Sequence, residues 1–160
     1  MNPLRSIAAV LVGLGAFSLV SQLLEVPLVR ALAGAPIPDV AAYYAQLNQP
    51  FMLAARPLYT MVAGILAGYI AAKVAGYEEL RHGIITGGVQ TLSFVYGFTA
   101  GEFAAFTPLW LRVTLVLVTG PSMVVGALVR ARAVRALAAA TSEAGAQPDA
   151  EGSKPGAPGR

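Results

Sequence analysis

The sequence predicts an all-α membrane protein: an antiparallel bundle of four transmembrane helices in residues 1–137, followed by a disordered tail in residues 138–160. Its composition, 56% hydrophobic and 12% charged, is too apolar for an ordinary soluble domain. Charged residues also bracket four apolar runs at separations of 20, 17, 21 and 18 residues. At about 1.5 Å per residue these runs measure roughly 26–32 Å, close to the hydrocarbon thickness of a bilayer.

The brackets place the four helices at about residues 4–32, 51–76, 80–101 and 108–137. The first run has an alternative interpretation as a cleavable signal, because Ala31, Leu32 and Ala33 resemble a small-residue cleavage site. Glu25 and Arg30 interrupt the approach to that site, and the run is longer than a signal core. A retained membrane helix is therefore favoured.

The segment after the first helix is predicted to lie at the membrane surface. Two prolines end the preceding helix, and Asp39 is a suitable N-cap for a short helix of sequence VAAYYAQL. Tyr43 and Tyr44 suit the headgroup level. The second long helix begins at either Pro50 or Pro57, since proline is accepted in a first turn.

Small residues mark the packing faces. Gly64 and Gly68 stand four apart on the second helix, and Gly83 and Gly87 stand four apart on the third. In lipid, a face without large side chains lets a second helix approach closely. Because a very short turn joins these two helices, we expect them to be each other's closest partner through these four glycines.

Four charges, one on each long helix, are predicted to lie at the same outer edge of the membrane: Glu25, Arg56, Glu102 and Arg112. Their ordinary role is to anchor helix ends while the long side chains reach for water. The alternative is a paired cluster that binds an ion or a zwitterion. Within it, an ion pair between Glu25 and Arg56 is the expected contact, because both face inward by helical periodicity.

A second candidate site is an internal polar track between the first and third helices, formed by Ser18, Gln22, Thr86, Gln90 and Ser93. One interpretation is a path for a small solute. The other is hydrogen bonding between helices, which fixes their register. The second is favoured because no carboxylate stands at mid-membrane to couple the movement of a proton or sodium ion.

The sequence contains no catalytic, metal or cofactor motif. Cysteine is absent, and the single histidine, His82, is expected to be a solvated residue of the turn before the third helix. The basic residues stand at the ends of apolar runs, which indicates membrane topology and not nucleic-acid binding. The leading hypothesis is a non-enzymatic accessory, scaffold or assembly subunit. The alternative is a small channel or transporter subunit, and a membrane enzyme comes third.

A short element, Gly68 to Gly76 with the sequence GYIAAKVAG, precedes the short turn and the glycine-rich third helix. This arrangement resembles small uncharacterised bacterial four-helix integral membrane proteins. The resemblance implies a bacterial inner-membrane protein and brings no activity or site residue with it. Besides the lipid bilayer, the expected partners are a second copy of the chain or another membrane protein.

Both termini are predicted to be cytoplasmic. Six basic residues lie near the membrane on the side of the termini and three on the other side, and loops rich in lysine and arginine stay in the cytoplasm. A green fluorescent protein fused after Arg160 should therefore lie in the cytoplasm and fluoresce. Activity from an alkaline phosphatase fused at the same position, which requires export, would reverse this topology.

Overall fold

A computed structural model describes residues 3–145, apart from the side chains of residues 102, 103 and 143–145. This part of the chain is helical and contains no strand. Its helices are α1 (Pro3–Ala33), α2 (Val40–Leu47), α3 (Pro50–Ala75), α4 (Glu79–Thr99) and α5 (Leu109–Gly145), with a 3₁₀ turn at Glu102–Phe106. Three of them, α1, α3 and α5, are long and apolar enough to cross a membrane.

Local sequence signals determine how the helices begin and end. The predicted N-cap of α2 is confirmed, because Asp39 Oδ1 accepts a hydrogen bond from the Ala42 backbone N–H at 2.7 Å. Helix α3 begins at Pro50, which leaves Pro57 inside it. It ends at Gly76, whose φ of 68° is left-handed and is tolerated best by glycine.

The final helix is longer than predicted. The helix does not end at residue 137 as predicted, because α5 continues to Gly145. The disorder predicted from residue 138 is therefore wrong for residues 138–145. The Thr141 and Ser142 hydroxyls donate to the carbonyls one turn earlier. Lack of large apolar residues does not prevent helix formation where alanine, the best helix former, predominates. Residues 146–160 of the predicted tail lie outside the described residues.

One end of the bundle, which we call the Arg5 end, is closed by contacts among α1, α3 and α4. Arg5 Nε donates to the Val74 carbonyl at 2.9 Å. The Ser6 hydroxyl lies 2.5 Å from the Tyr77 hydroxyl and 3.2 Å from His82 Nε2. The start of α1 is thereby joined both to the last turn of α3 and to the first turn of α4.

His82 differs from the sequence-based expectation. Only 2% of its surface is exposed, so the predicted solvated turn residue is a buried one. It lies in the first turn of α4, where its Nδ1 is 3.2 Å from the Glu78 carbonyl and its ring meets Tyr77 edge-to-face. Helix α4 begins three residues before it, and the first turn faces the Ser6 hydroxyl of α1, which gives the imidazole its polar partner.

The opposite end, which we call the Glu25 end, brings the end of α1 against α2 and the start of α3. The Glu25 carboxylate accepts hydrogen bonds from Tyr43 and Tyr59. Asn48 Nδ2, just after α2, donates to the Phe106 carbonyl at 2.7 Å. The Asn48 hydrogen bond thus joins the segment after α2 to the 3₁₀ turn between α4 and α5.

The distribution of side chains is reversed relative to a water-soluble protein. The buried positions of α3 are mostly small, whereas the exposed positions of all four long helices carry large apolar side chains. Leu23, Leu58, Leu92 and Leu117, one from each long helix, are each more than half exposed. Burying apolar surface gains nothing in lipid, so membrane helices place small residues at their contacts and large ones outside.

The four glycines predicted for helix packing do not face one another. A methyl group added at Gly64 would overlap the Ser122 hydroxyl, and one added at Gly68 would overlap the Met123 carbonyl. Both partners belong to α5. Helix α3 thus meets the backbone of α5, not that of α4.

The glycines of α4 also face α5. A methyl group at Gly83 would overlap the Ala127 side chain, and one at Gly87 would lie 3.0 Å from the Gly120 carbonyl. The expectation that the second and third long helices are each other's closest partner is therefore wrong. Helix α5 contributes small residues of its own, and at Gly126 its backbone touches the Ile65 carbonyl of α3. A short turn joins α3 to α4, but steric fit decides which helix each contacts most closely.

We predict that Gly68→Ala destabilises the bundle. The added methyl group meets the Met123 backbone, which cannot rotate away, and such overpacking costs about 1–3 kcal/mol. The matched control is Gly88→Ala on α4, where nothing lies within 4 Å of the added carbon. Thermal unfolding in detergent will show a lower midpoint for the first variant and an unchanged or higher one for the second. Equal midpoints would contradict close packing at Gly68.

Candidate functional site

A cleft of about 300 Å³ opens between α1 and α4. It exists because both helices pack on other members of the bundle and touch each other little. Residues of α3 form its back wall. On α1 the lining extends from Phe17 to Glu25, a height of about 12 Å at the helical rise. The lining includes Phe17, Ser18, Ser21, Gln22, Glu25, Tyr44, Arg56, Tyr59, Gln90, Phe94, Phe98 and Leu115.

The Glu25 carboxylate is held by two tyrosine hydroxyls. The Tyr43 hydroxyl, from α2, donates to Oε1 at 2.6 Å, and the buried Tyr59 hydroxyl, from α3, donates to Oε2. Each carboxylate oxygen therefore has a neutral donor. Hydrogen bonds to an ionised group are stronger than those between neutral groups, so this contact joins three helices at one point.

The tyrosines of α2 keep their protons. Burial raises the pKa of Tyr43, and the hydrogen bond to Glu25 and the charge of that carboxylate raise it further. Burial also raises the pKa of Tyr44, while the positive charge of Arg56 opposes the rise at both residues. At neutral pH the Tyr43 hydroxyl is consequently a donor, as its hydrogen bond to the carboxylate requires.

Arg56 lines the same cleft without neutralising Glu25. Its guanidinium lies beside the Tyr59 hydroxyl, yet its buried Nη1 has no hydrogen-bond partner among the described residues. The predicted Glu25–Arg56 ion pair is absent, and the ion pair found in residues 3–145 joins Arg81 to Glu78. Glu25 is held by the two tyrosine hydroxyls instead, one on each oxygen.

The other two predicted outer charges do not join this cleft as far as the structure describes them. Arg112 Nε donates to the Thr107 carbonyl at 2.6 Å, and its side chain lines a separate hollow between α4 and α5. The side chain of Glu102 lies outside the described residues. Of the four charges, the structure thus brings together Glu25 and Arg56.

The predicted polar track is divided. Ser18, Gln22 and Gln90 line the cleft. Thr86 is fully buried and donates to the His82 carbonyl at 2.8 Å, and Ser93 is exposed and donates to the Val89 carbonyl at 2.9 Å. These two hydroxyls satisfy their hydrogen-bonding needs within α4.

The cleft is closed toward the Arg5 end. A methyl group added at Gly13 of α1 would lie 2.8 Å from Ala71 Cβ and 2.9 Å from Thr86 Cγ2. Helix α1 therefore touches both α3 and α4 at this level. No described side chain between this contact and the Arg5 end lines the cleft. The cleft is therefore a pocket that is closed at the end facing the Arg5 end.

Sequence inspection did not assign Tyr59 or Ser21 to either candidate site. Tyr59 stands three residues after Arg56, a spacing that puts both on one helix face. Ser21 stands four residues before Glu25 and shares its face in the same way. That spacing was the available signal. Within residues 3–145, no group of histidine and acidic side chains could hold a metal ion.

We predict that Tyr59→Phe lowers stability by about 1.5–3 kcal/mol, because it removes a donor from an ionised carboxylate. Tyr96→Phe is the control, since Tyr96 is 72% exposed and should change little. In a Glu25→Gln background the effect of Tyr59→Phe should shrink, because the charge is gone. Thermal unfolding of the four combinations measures this coupling, and strictly additive losses would argue against the contact.

No protein-family model matches this sequence, and no curated protein or solved structure matches it either. The role of the α1–α4 cleft is therefore inferred from its own side chains.

Proposed function

We propose that this protein is a four-pass integral membrane protein in which α4 is the fourth span. Helix α4 has 21 residues, about 31 Å at the helical rise, which suffices to cross the hydrocarbon layer. Its glycines and polar groups lower its hydropathy, but they are mostly turned toward α5 or the cleft. Its outer face carries Ile84, Ile85, Val89 and Leu92, all exposed. This face is suited to lipid.

Contacts at the two ends support an antiparallel arrangement. The start of α1 meets the end of α3 through Arg5 and Val74, and the end of α1 meets the start of α3 through Glu25 and Tyr59. The short turn at residues 76–78 then favours an antiparallel α4. With the excess of basic residues at the Arg5 end, the proposal is a bacterial inner-membrane protein with both termini in the cytoplasm.

Its role, in this proposal, is binding and not catalysis, as expected of an accessory or assembly subunit. The observation that carries it is the α1–α4 cleft, whose polar side chains open sideways from the bundle. Ser18 and Gln22 are exposed there, and Gln90 is half-buried. Polar groups at this depth are costly unless another molecule covers them. The one carboxylate of the cleft is already held by two hydroxyls, which leaves it poorly suited to act as a base.

The alternative, a channel or transporter subunit, is supported by the three polar residues that line the cleft. Against it stands the contact of Gly13 with Ala71 and Thr86, which closes the cleft toward the Arg5 end. A single copy therefore lacks a continuous polar path in its described residues. Several copies would have to enclose one between them.

Single-cysteine variants test the binding role, since the chain contains no cysteine. Gln22→Cys reports on the cleft, and Leu23→Cys, at the same depth but on a lipid-facing residue that is 64% exposed, is the control. We expect maleimide to label Gln22→Cys severalfold more slowly in native membranes than in delipidated detergent solution, because an occupant protects it. The ratio for Leu23→Cys should be smaller. Equal ratios at the two positions would contradict an occupied cleft.

A further inference from the structure

In the cleft, the Glu25 carboxylate has hydrogen-bond partners, whereas two buried groups that can donate have none. Both oxygens of Glu25 already accept hydrogen bonds from tyrosine hydroxyls. Arg56 Nη1 and Ser21 Oγ are buried and have no partner among the described residues. A buried donor left without an acceptor destabilises the protein, and more so when it is charged. The cleft thus offers donors, including a guanidinium, to a ligand that brings acceptors.

A phosphate or carboxylate is the natural complement of these donors. Guanidinium groups bind such anions through parallel hydrogen bonds, and these are among the stronger contacts available to a protein. Glu25 lies in the same cleft, but no salt bridge joins it to Arg56 within residues 3–145, so Nη1 of the guanidinium keeps its hydrogen bonds for a ligand. The Ser21 hydroxyl, on the facing helix, can donate to the same anion.

The deeper part of the cleft is aromatic. Phe17 and Phe94 meet edge-to-face with ring centroids 5.8 Å apart. The Phe98 ring, one turn closer to the Glu25 end, has its centroid 5.6 Å from that of Phe94, and Leu115 of α5 also lines the cleft. Such a surface accepts a hydrocarbon chain.

Across the membrane, the charged part of the cleft lies outside and the aromatic part lies deeper, in the same order as the headgroup and chain of a lipid. Arg56 stands 17 residues from Lys73, or about 26 Å along α3, which places it near the bilayer edge. Phe17 stands 12 residues from Arg5, about 18 Å along α1 and hence deeper. A headgroup on Arg56 would leave its chain pointing toward the bilayer centre, along the phenylalanines.

The dimensions favour a small ligand over a partner helix. A volume of about 300 Å³ is at the lower end for small-molecule sites, which hold roughly 300–1,000 Å³. A helix with its side chains is about 10–12 Å across and does not fit. The exposed Ser18 and Gln22 mark the sideways opening through which a molecule in the lipid layer can enter.

We propose that the α1–α4 cleft binds an anionic amphiphile, with its phosphate or carboxylate on Arg56 and Ser21 and the first part of its chain against Phe17 and Phe94. This inference rests on the proposed binding role of the cleft and specifies its ligand. The anion could come from a membrane lipid or from free phosphate, and the experiment below distinguishes these sources.

The test is native mass spectrometry of the full-length, delipidated protein in a neutral detergent, titrated with phosphatidylglycerol or with diacylglycerol, which has the same chains and no phosphate. Wild-type protein should bind the anionic lipid about tenfold more tightly than the uncharged one, as expected from one charge-assisted contact. Arg56→Gln should lose most of this preference. The matched control is Arg112→Gln, which removes an arginine from the separate α4–α5 hollow and should keep the preference.

Two results would overturn the proposal: equal affinity of the wild-type protein for both lipids, or an Arg56→Gln variant that keeps the preference. Inorganic phosphate is the second arm. It should not raise the thermal unfolding midpoint at millimolar concentration, because it lacks the chain. A phosphate-induced stabilisation that depends on Arg56 and equals that of the lipid would show a free-anion site and contradict the amphiphile.

A folding defect in Arg56→Gln would not leave the question open, because Ser21→Ala removes the second unpartnered donor with minimal change of shape. We expect it to weaken phosphatidylglycerol binding severalfold and not to lower the midpoint of the lipid-free protein, because the hydroxyl that it removes has no partner there. Unchanged lipid binding in this variant would count against the proposal. If lipids bind without charge preference while Gln22→Cys remains protected in membranes, this inference fails and the broader binding role stands.

Discussion

The contact between the backbones of α3 and α5 is the constraint on which the rest of the structure depends. At Gly68 and at Gly126 each helix meets a carbonyl of the other, so neither position has room for even a methyl group. Association of helices in lipid relies on van der Waals packing and not on the hydrophobic effect. Contacts between backbones as close as these give the largest packing stabilisation. Helix α4 then packs on the same α5 through Gly83 and Gly87.

The cleft is a consequence of this arrangement. Because α4 packs mainly on α5 and α1 mainly on α3, the two outer helices are left with few contacts between them. They meet near the Arg5 end, at Gly13 and at Ser6, and part toward the Glu25 end. The opening is thus produced by the same small residues that hold the core together. It is not the result of a missing side chain.

The chemistry of the cleft follows from which donors reach Glu25. Two tyrosine hydroxyls, one from the short helix α2 and one from α3, donate hydrogen bonds to the carboxylate. Had Arg56 formed an ion pair with Glu25, fewer of its five N–H donors would be left for a ligand. The uncharged hydroxyls satisfy the acid and leave the guanidinium available, and this difference underlies the proposed preference for an anionic ligand.

The sequence by itself determined the helical class, the approximate positions of the long helices and the N-cap at Asp39. Hydrophobic run length, bracketing charges and capping preference are local properties, and local properties can be counted along a chain. The alanine-rich end of α5 was misjudged because lack of large apolar residues was taken for lack of structure. Of the five residues of the predicted polar track, Ser18, Gln22 and Gln90 line the cleft, whereas Thr86 and Ser93 do not.

Only the tertiary structure decided the partners. That Gly64, Gly68, Gly83 and Gly87 all face α5 depends on steric fit among helices distant in sequence. That Glu25 bonds to Tyr43 and Tyr59 while Nη1 of Arg56 has no partner depends on where three helices place their side chains in space. The sequence states which residues share a helix face. It does not state which neighbouring helix that face meets, because this depends on how the faces of all the helices fit together in space.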